Sequence, residues 1–463
     1  MSATTEISTN FITAARVRES KFDWAVVAQV CVCVIPAMAT IDLGNPVMGA
    51  RYLVAVLLVL LAYHGFRKDR YRFMALLIGT SPAMGLMRSM FFYDSVIFFL
   101  AAGTIVWAAS AWQEVRFVWS DPIWRVLTAL CVVYWFLSVV HTQDWHSNSR
   151  TIELSLAASA VCLLANRRSY LATAVNGMAV STSAYAIAML PYGIRLGEGE
   201  LDNGETIGNP AILGIPAALI VLLALTDRGR LLMMEKNVLG KMIICLSAGE
   251  WLVLSGSRGS WTITLVSLIL VFMFSKSSRK PLLITLGLAS LATVIVLSTG
   301  RGDKIAEVFG KTVDSNRTLA NRTSGRSSMW MALPSIFTIS PVWGWGAGSG
   351  RDVDYIYTGR HLELHSLYLQ VIAETGVMGF IPLMLILGAL IRRASIHMRR
   401  YGEVVPLIGV VGYMLIGVSV TAFDIVSGIY LGLAFMSREH HQRFTGHRLW
   451  AAPAEEQEPV LHQ

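Results

Sequence analysis

Charged residues are scarce: Asp, Glu, Lys and Arg make up 15% of the 463 residues, where a water-soluble domain carries about a quarter. Set against 54% hydrophobic residues, that scarcity excludes an ordinary soluble globular chain. Cysteine is scarce as well. The five present (Cys31, Cys33, Cys131, Cys162 and Cys245) all stand inside apolar runs, without partners at the spacing of a zinc site or a disulfide framework, and read as packing residues. No repeat with a period of about 20 to 50 residues is visible, and the longest biased segment is the Ala-Pro-Glu tail after residue 450. The net charge is +8, yet the basic residues come in short clusters between apolar runs and form no single polar face. Nucleic acid is therefore excluded as a partner.

What the chain has in abundance is apolar runs. Fourteen can be drawn, near residues 23–41, 48–66, 73–88, 92–112, 123–140, 151–166, 170–190, 210–226, 241–255, 261–275, 282–299, 367–391, 404–420 and 423–437. A bilayer core about 30 Å thick needs roughly 20 apolar residues of helix to cross it, and several runs reach that length. Ala37-Met38-Ala39 faintly resembles a signal-peptidase site; the first run is expected to be an uncleaved span. The last two runs are short and could form one bent unit. The expectation is an all-α polytopic membrane protein of about 12–14 transmembrane helices.

Loop charge orients these spans. Arg67-Lys68-Asp69-Arg70, Arg116 with Arg125, Arg167-Arg168, Arg228 with Arg230, Lys276 with Arg279, and Arg392 through Arg400 fall in alternate loops. The positive-inside rule assigns those loops to the cytoplasm, together with both termini. The expected organisation is a cytoplasmic N-terminal segment (1–22), transmembrane helices 1–11 (23–299), a periplasmic loop domain (300–363), C-terminal transmembrane helices (364–437) and a cytoplasmic tail (438–463). The 300–363 connection is too polar to cross, and loops longer than about 15 residues usually carry function.

Three constellations then face the outer side. Ser255-Gly256-Ser257-Arg258-Gly259-Ser260-Trp261 separates two apolar runs, and its serines can cap a helix whose unpaired N–H groups point outward beside a guanidinium. That suits a phosphate, although a tight hairpin with a snorkelling arginine reads equally well. In the long loop, Arg317, Arg322 and Arg326 recur at spacings that let two share a helix face; ordinary solvated charge is the plainer account. The run from His361 to Ile391 is too long for one perpendicular span, so His365, Tyr368 and Glu374 are expected near the outer interface. His365 has the intrinsic acidity for proton transfer, while a histidine at a helix end is commonly structural.

Other patterns fail. His361-Leu362-Glu363-Leu364-His365 has its glutamate misplaced for the zinc-protease motif. Gly344-Trp345-Gly346-Ala347-Gly348-Ser349-Gly350 matches neither a P-loop nor a dinucleotide fingerprint and reads as a flexible turn. Asp352-Val353-Asp354 resembles a metal-holding DxD element, but nucleotide sugars are cytosolic and this loop is not. Glu250, alone in an apolar run two turns from Arg258, is expected to orient that arginine through a salt bridge.

Taken in order, Gly208-Asn209-Pro210, Ser255-Gly256-Ser257-Arg258-Gly259, Gly325-Arg326 with Trp330, Gly344-Trp345-Gly346, His365-Ser366-Leu367-Tyr368-Leu369-Gln370 and Glu374-Thr375-Gly376-Val377-Met378-Gly379 resemble the O-antigen ligase and O-antigen polymerase superfamily. The likeness covers roughly residues 190 to 390. It implies a metal-independent, inverting membrane glycosyltransferase of the GT-C type without cofactors, at the periplasmic face of the bacterial inner membrane. The implied donor is a glycan on undecaprenyl diphosphate, and the acceptor another glycan or lipid A-core, in O-antigen or exopolysaccharide synthesis. By the same resemblance Arg258 and Arg326 match the arginines assigned to the diphosphate, and His365 the histidine assigned to acceptor activation. Arg195 matches a positive position in the preceding outer loop more weakly. Arg322, Tyr368 and Ser257 complete the candidate substrate-binding set, with Glu250 in support. Ser366 stands where many relatives have Asn. Membrane lipids are implied partners, and a chain-length regulator only for a polymerase. A different class of reading is a transporter or flippase of lipid-linked glycans.

Overall fold

The computed structural model describes residues 75, 78–79, 119–141, 168–189, 194–195, 200–201, 210–226, 231–232, 238–275, 279–280, 282–283, 287, 326–359, 364, 366–419 and 425–436. The expected spans near 23–41, 48–66, 92–112 and 151–166, nearly all of 73–88 and 282–299, the 1–22 segment and the 438–463 tail lie outside the described residues. Within them the chain forms α1 (Pro122–His141), α2 (Arg168–Met189), β1 (Ile194–Arg195), β2 (Glu200–Leu201), α3 (Pro210–Thr226), α4 (Val238–Leu254), α5 (Arg258–Phe274), α6 (Arg326–Ile339), α7 (Gly350–Thr358), α8 (Leu367–Tyr401), α9 (Val405–Ser419) and α10 (Ile425–Phe435). Among the described residues the protein is helical, and the one departure from an all-α arrangement is the antiparallel pair β1–β2, which sets Arg195 opposite Glu200.

Helix α3 sits at the centre, packed against α2, α4, α5, α9 and α10. Its sequence explains the position. Pro210 opens it at a place where a missing N–H costs nothing, and the following residues are apolar on every side, the mark of a helix with no solvent face. Ile215, Leu219, Ile220 and Leu222 are accordingly buried. Helices α9 and α10 meet closely because Gly412 presents no side chain: a Cβ there would fall 2.4 Å from the Tyr430 ring. Small residues at such crossings are how apolar helices associate when the solvent is itself apolar.

Helix α1 runs antiparallel to α8 and is tied to it at two levels. Asp121 accepts from the Ile123 N–H at 3.0 Å, capping α1, and its two oxygens receive the Arg393 guanidinium at 2.7 and 2.9 Å. At the other level Tyr134 reaches Glu374. Among the described residues α8 is the helix long and apolar enough to cross a membrane. It extends ten residues beyond the expected end at 391, because the basic residues there are good helix formers and Arg399 and Arg400 complement the C-terminal dipole. Gly402, in the left-handed region at φ 68, ends it with a hydrogen bond to the Met398 carbonyl.

The outer faces of the bundle are apolar. Leu246 of α4, Leu265 and Ile269 of α5, and Ile381 and Leu385 of α8 are all exposed. A monomer in water rarely shows so much contiguous apolar surface; hydrocarbon solvates it at no cost.

Candidate functional site

The turn between α4 and α5 is built by its serines. Ser255 donates to the Leu252 carbonyl at 2.8 Å and accepts from the Ser257 N–H, while Ser257 accepts from the Ser260 hydroxyl at 2.9 Å and caps α5. Trp261 closes the turn through its ring N–H on the Leu252 carbonyl. All three serines are buried, so Ser257 serves the helix cap. The residue the turn presents is Arg258, exposed at the first position of α5. A cation at a helix N-terminus opposes the macrodipole, and an anion seated there satisfies the guanidinium and the dipole together. Helix α3 fits against this turn because residue 214 is glycine: a Cβ would lie 2.5 Å from the Ser260 hydroxyl.

The start of α8 is anchored just as firmly. The buried Ser366 hydroxyl donates to the Gly417 carbonyl at 3.1 Å, and the Tyr368 hydroxyl donates to the Met414 carbonyl at 3.0 Å. Ser366 thus ties α8 to α9, and Tyr368 turns its hydroxyl into the same helix. His365 lies outside the described residues, between buried Leu364 and buried Ser366.

Nine residues further, α8 is broken. Gly376 takes φ 58 and ψ −151, a region open essentially to glycine alone. The backbone groups freed there are met by the glycine-rich segment after α6. Trp345 and Gly346 N–H groups donate to the Ala373 and Glu374 carbonyls, and Val377 and Met378 donate to the Pro341 and Val342 carbonyls. A Cβ on Gly376 would stand 2.5 Å from the Val342 oxygen. The segment read as a flexible turn is therefore a clamp. The Glu374 side chain completes it: buried, it accepts from the Tyr134 hydroxyl, from Gln370 at 3.3 Å and from the Gly350 N–H at 3.1 Å at the start of α7. The Gln370 and Glu374 pair is readable as i, i+4 neighbours on a helix. Tyr134, 240 residues from Glu374, carries no such signal.

The remaining candidates fall as follows. Arg326 opens α6 and its side chain lies outside the described residues, while Met329, one turn on, shares an apolar cluster with Leu364, Leu369 and Ala373. Arg322 lies outside the described residues, and Arg195 is described only through its backbone in β1. No ion pair joins Glu250 to Arg258 among the described residues; Glu250 stands four residues short of the end of α4, about 6 Å deeper at helical rise. Asp352 and Asp354 fall on α7, where an i, i+2 pair cannot face one cation: Asp352 is exposed and Asp354 buried.

A chain of contacts relates the Arg258 turn to the start of α8. Gly214 touches that turn. The next carbonyl, Ile215, accepts from Tyr430 at 3.2 Å, the Tyr430 ring lies on Gly412, and beyond it on α9 are the carbonyls held by Tyr368 and Ser366. The arginine turn and the segment flanking His365 thus stand at one end of the bundle, opposite Arg399 and Arg400.

One helix long and apolar enough to cross a membrane and apolar outer faces on its neighbours are features of the membrane-protein class. Residues 242–384, the segment that holds Arg258, Arg326 and His365, match the family model described as O-Antigen ligase, and the match supports a place for this segment in the O-antigen ligase and polymerase superfamily. No curated protein matches the chain.

Proposed function

We propose that this protein is a periplasm-facing glycosyltransferase that moves a glycan from undecaprenyl diphosphate to an acceptor hydroxyl in cell-surface polysaccharide synthesis. The observation that carries this reading is the shared end of the bundle: Arg258 at the head of α5 and the anchored segment around residue 365, within one matched domain. The acceptor oxygen attacks the anomeric carbon, the carbon–oxygen bond to the diphosphate breaks, and the electron pair leaves on the diphosphate. Arg258 and Arg326 stabilise the charge developing on those oxygens, the role fixed cationic donors serve in many transferases. His365 takes the acceptor proton, for which its acidity is suited. Attack opposite the diphosphate inverts the anomeric centre, and guanidinium groups supply the charge a metal would.

The transporter reading has the broken α8 and its buried acid in its favour. Against it stands the engagement of Glu374, whose oxygens are taken by Tyr134, Gln370 and Gly350, leaving little for a coupling ion. The test is glycan transfer by purified protein in liposomes. Arg258→Ala, Arg326→Ala and His365→Ala are each expected to lose on the order of a hundredfold in rate, with no lipid translocation by the unaltered protein. Full transfer by Arg258→Ala and His365→Ala together would refute the assignment. Lipid-linked and surface glycans in a deletion strain identify the acceptor.

A further inference from the structure

Between residues 327 and 350 the chain has no Asp, Glu, Lys or Arg, although the stretch falls within the connection expected outside the membrane. The helices α6 and α7 that carry and follow it leave large apolar side chains uncovered. On α6 and the turn after it, Met331 is 67% exposed, Ile339 62% and Trp343 54%. On α7, Tyr355 and Ile356, one residue apart, are 51% and 59% exposed.

Two further observations say what covers this surface. First, it is continuous with the outward face of α8. The Met378 N–H donates to the Val342 carbonyl and the Val377 N–H to that of Pro341. These bonds set exposed Val342 and Trp343 beside exposed Met378 and Ile381 on the helix long enough to cross a membrane. Second, a hydroxyl on the exposed face of α6 is satisfied from within. The Thr338 hydroxyl donates to the Ser335 carbonyl at 2.9 Å, an arrangement that lets a hydroxyl face lipid without an unsatisfied donor. Tryptophan and tyrosine at the margins of such a face are the side chains that settle at the headgroup boundary.

We infer that residues 326–359 form a membrane-seated unit, with the exposed faces of α6 and α7 and the turn at Trp343 resting in bilayer lipid at the outer interface. Exposed Asp352 marks its polar margin. The periplasmic connection is then divided: its second half belongs to the membrane boundary, and through the clamp at Gly376 it holds α8 at the depth of the candidate site. This inference concerns the lipid and does not depend on the glycan-transfer reading.

The test uses the full chain in lipid nanodiscs with single spin labels introduced as Met331→Cys, Ile339→Cys and Trp343→Cys in a cysteine-depleted background. Leu385→Cys on the apolar face of α8 is the hydrocarbon reference and Arg400→Cys the aqueous one. Collision with dissolved oxygen is compared with collision with a charged nickel chelate. The oxygen preference at Met331 and Ile339 is expected to approach that at Leu385, that at Trp343 to lie between the two references, and all three to exceed Arg400 severalfold. A chelate accessibility equal to that of Arg400 would overturn the inference, since the face would then be in water. Protection from both reagents would overturn it too, since a protein partner or second copy would be covering the face. Transfer activity plays no part in the readout, so failure here is separate from failure of the catalytic reading.

Discussion

Helix α8 contains two glycines that a single methyl group should tell apart. At Gly388 an added Cβ meets nothing within 4 Å, and Ala in a helix interior is favoured over Gly by up to about 1 kcal/mol. At Gly376 the backbone sits at φ 58 and ψ −151, and the same methyl would stand 2.5 Å from the Val342 oxygen. Holding a non-glycine residue in that region costs about 1 to 3 kcal/mol. Withdrawal of the clamping segment then forfeits two hydrogen bonds, Val377 to Pro341 at 2.9 Å and Met378 to Val342 at 3.2 Å, each contributing about 0.5 to 1.5 kcal/mol. Gly376→Ala should therefore lose about 2 to 6 kcal/mol while Gly388→Ala loses nothing or gains slightly. The assay is the midpoint of thermal unfolding in detergent, followed by the fraction remaining monodisperse on size exclusion after heating. Equal midpoints for the two variants would refute the clamp, because the break at Gly376 would then be no more than a local bend that a straight helix can replace.

The Asp121–Arg393 pair is bidentate, with Asp121 buried. Arg393→Met alone should destabilise by about 3 kcal/mol in the same assay, and pairing it with Asp121→Leu should recover much of the loss, since the first change strands a buried charge and the second removes it. The coupling between Tyr134→Phe and Glu374→Gln in a double-mutant cycle should be about 0.5 to 3 kcal/mol, the scale of a buried side-chain hydrogen bond; additive losses would mean that the two side chains do not meet. Arg258→Lys should retain folding, judged by an unchanged melting midpoint, yet lose most glycan transfer, because a point charge cannot reproduce the planar fork on a diphosphate.

Helix existence was legible because membrane-type helices are written in composition. Helices α3, α4, α5, α9 and α10 begin and end within three residues of the runs drawn from apolar content, since each run stops where charge or a turn residue stops it. The arginine turn was legible for a similar local reason: its serines, its glycine and Arg258 are neighbours in sequence, and capping is a local interaction. The long connection at 300–363 was harder to read. Its charge-free stretch is visible in the sequence, but the polar residues on either side mask it, and which of its faces stays uncovered depends on packing.

The sequence by itself determined where the helices run and which cations stand at their ends, because apolar length, capping and charge act over one or two turns. Only the tertiary structure decided that α8 is broken at Gly376 and that a glycine-rich segment more than twenty residues away in the chain mends it. The same holds for the hydroxyl of Tyr134 answering the buried Glu374. Those choices follow from a requirement with no sequence address: each buried backbone or side-chain polar group must find a partner somewhere, and which partner is nearest is settled only when the helices have packed.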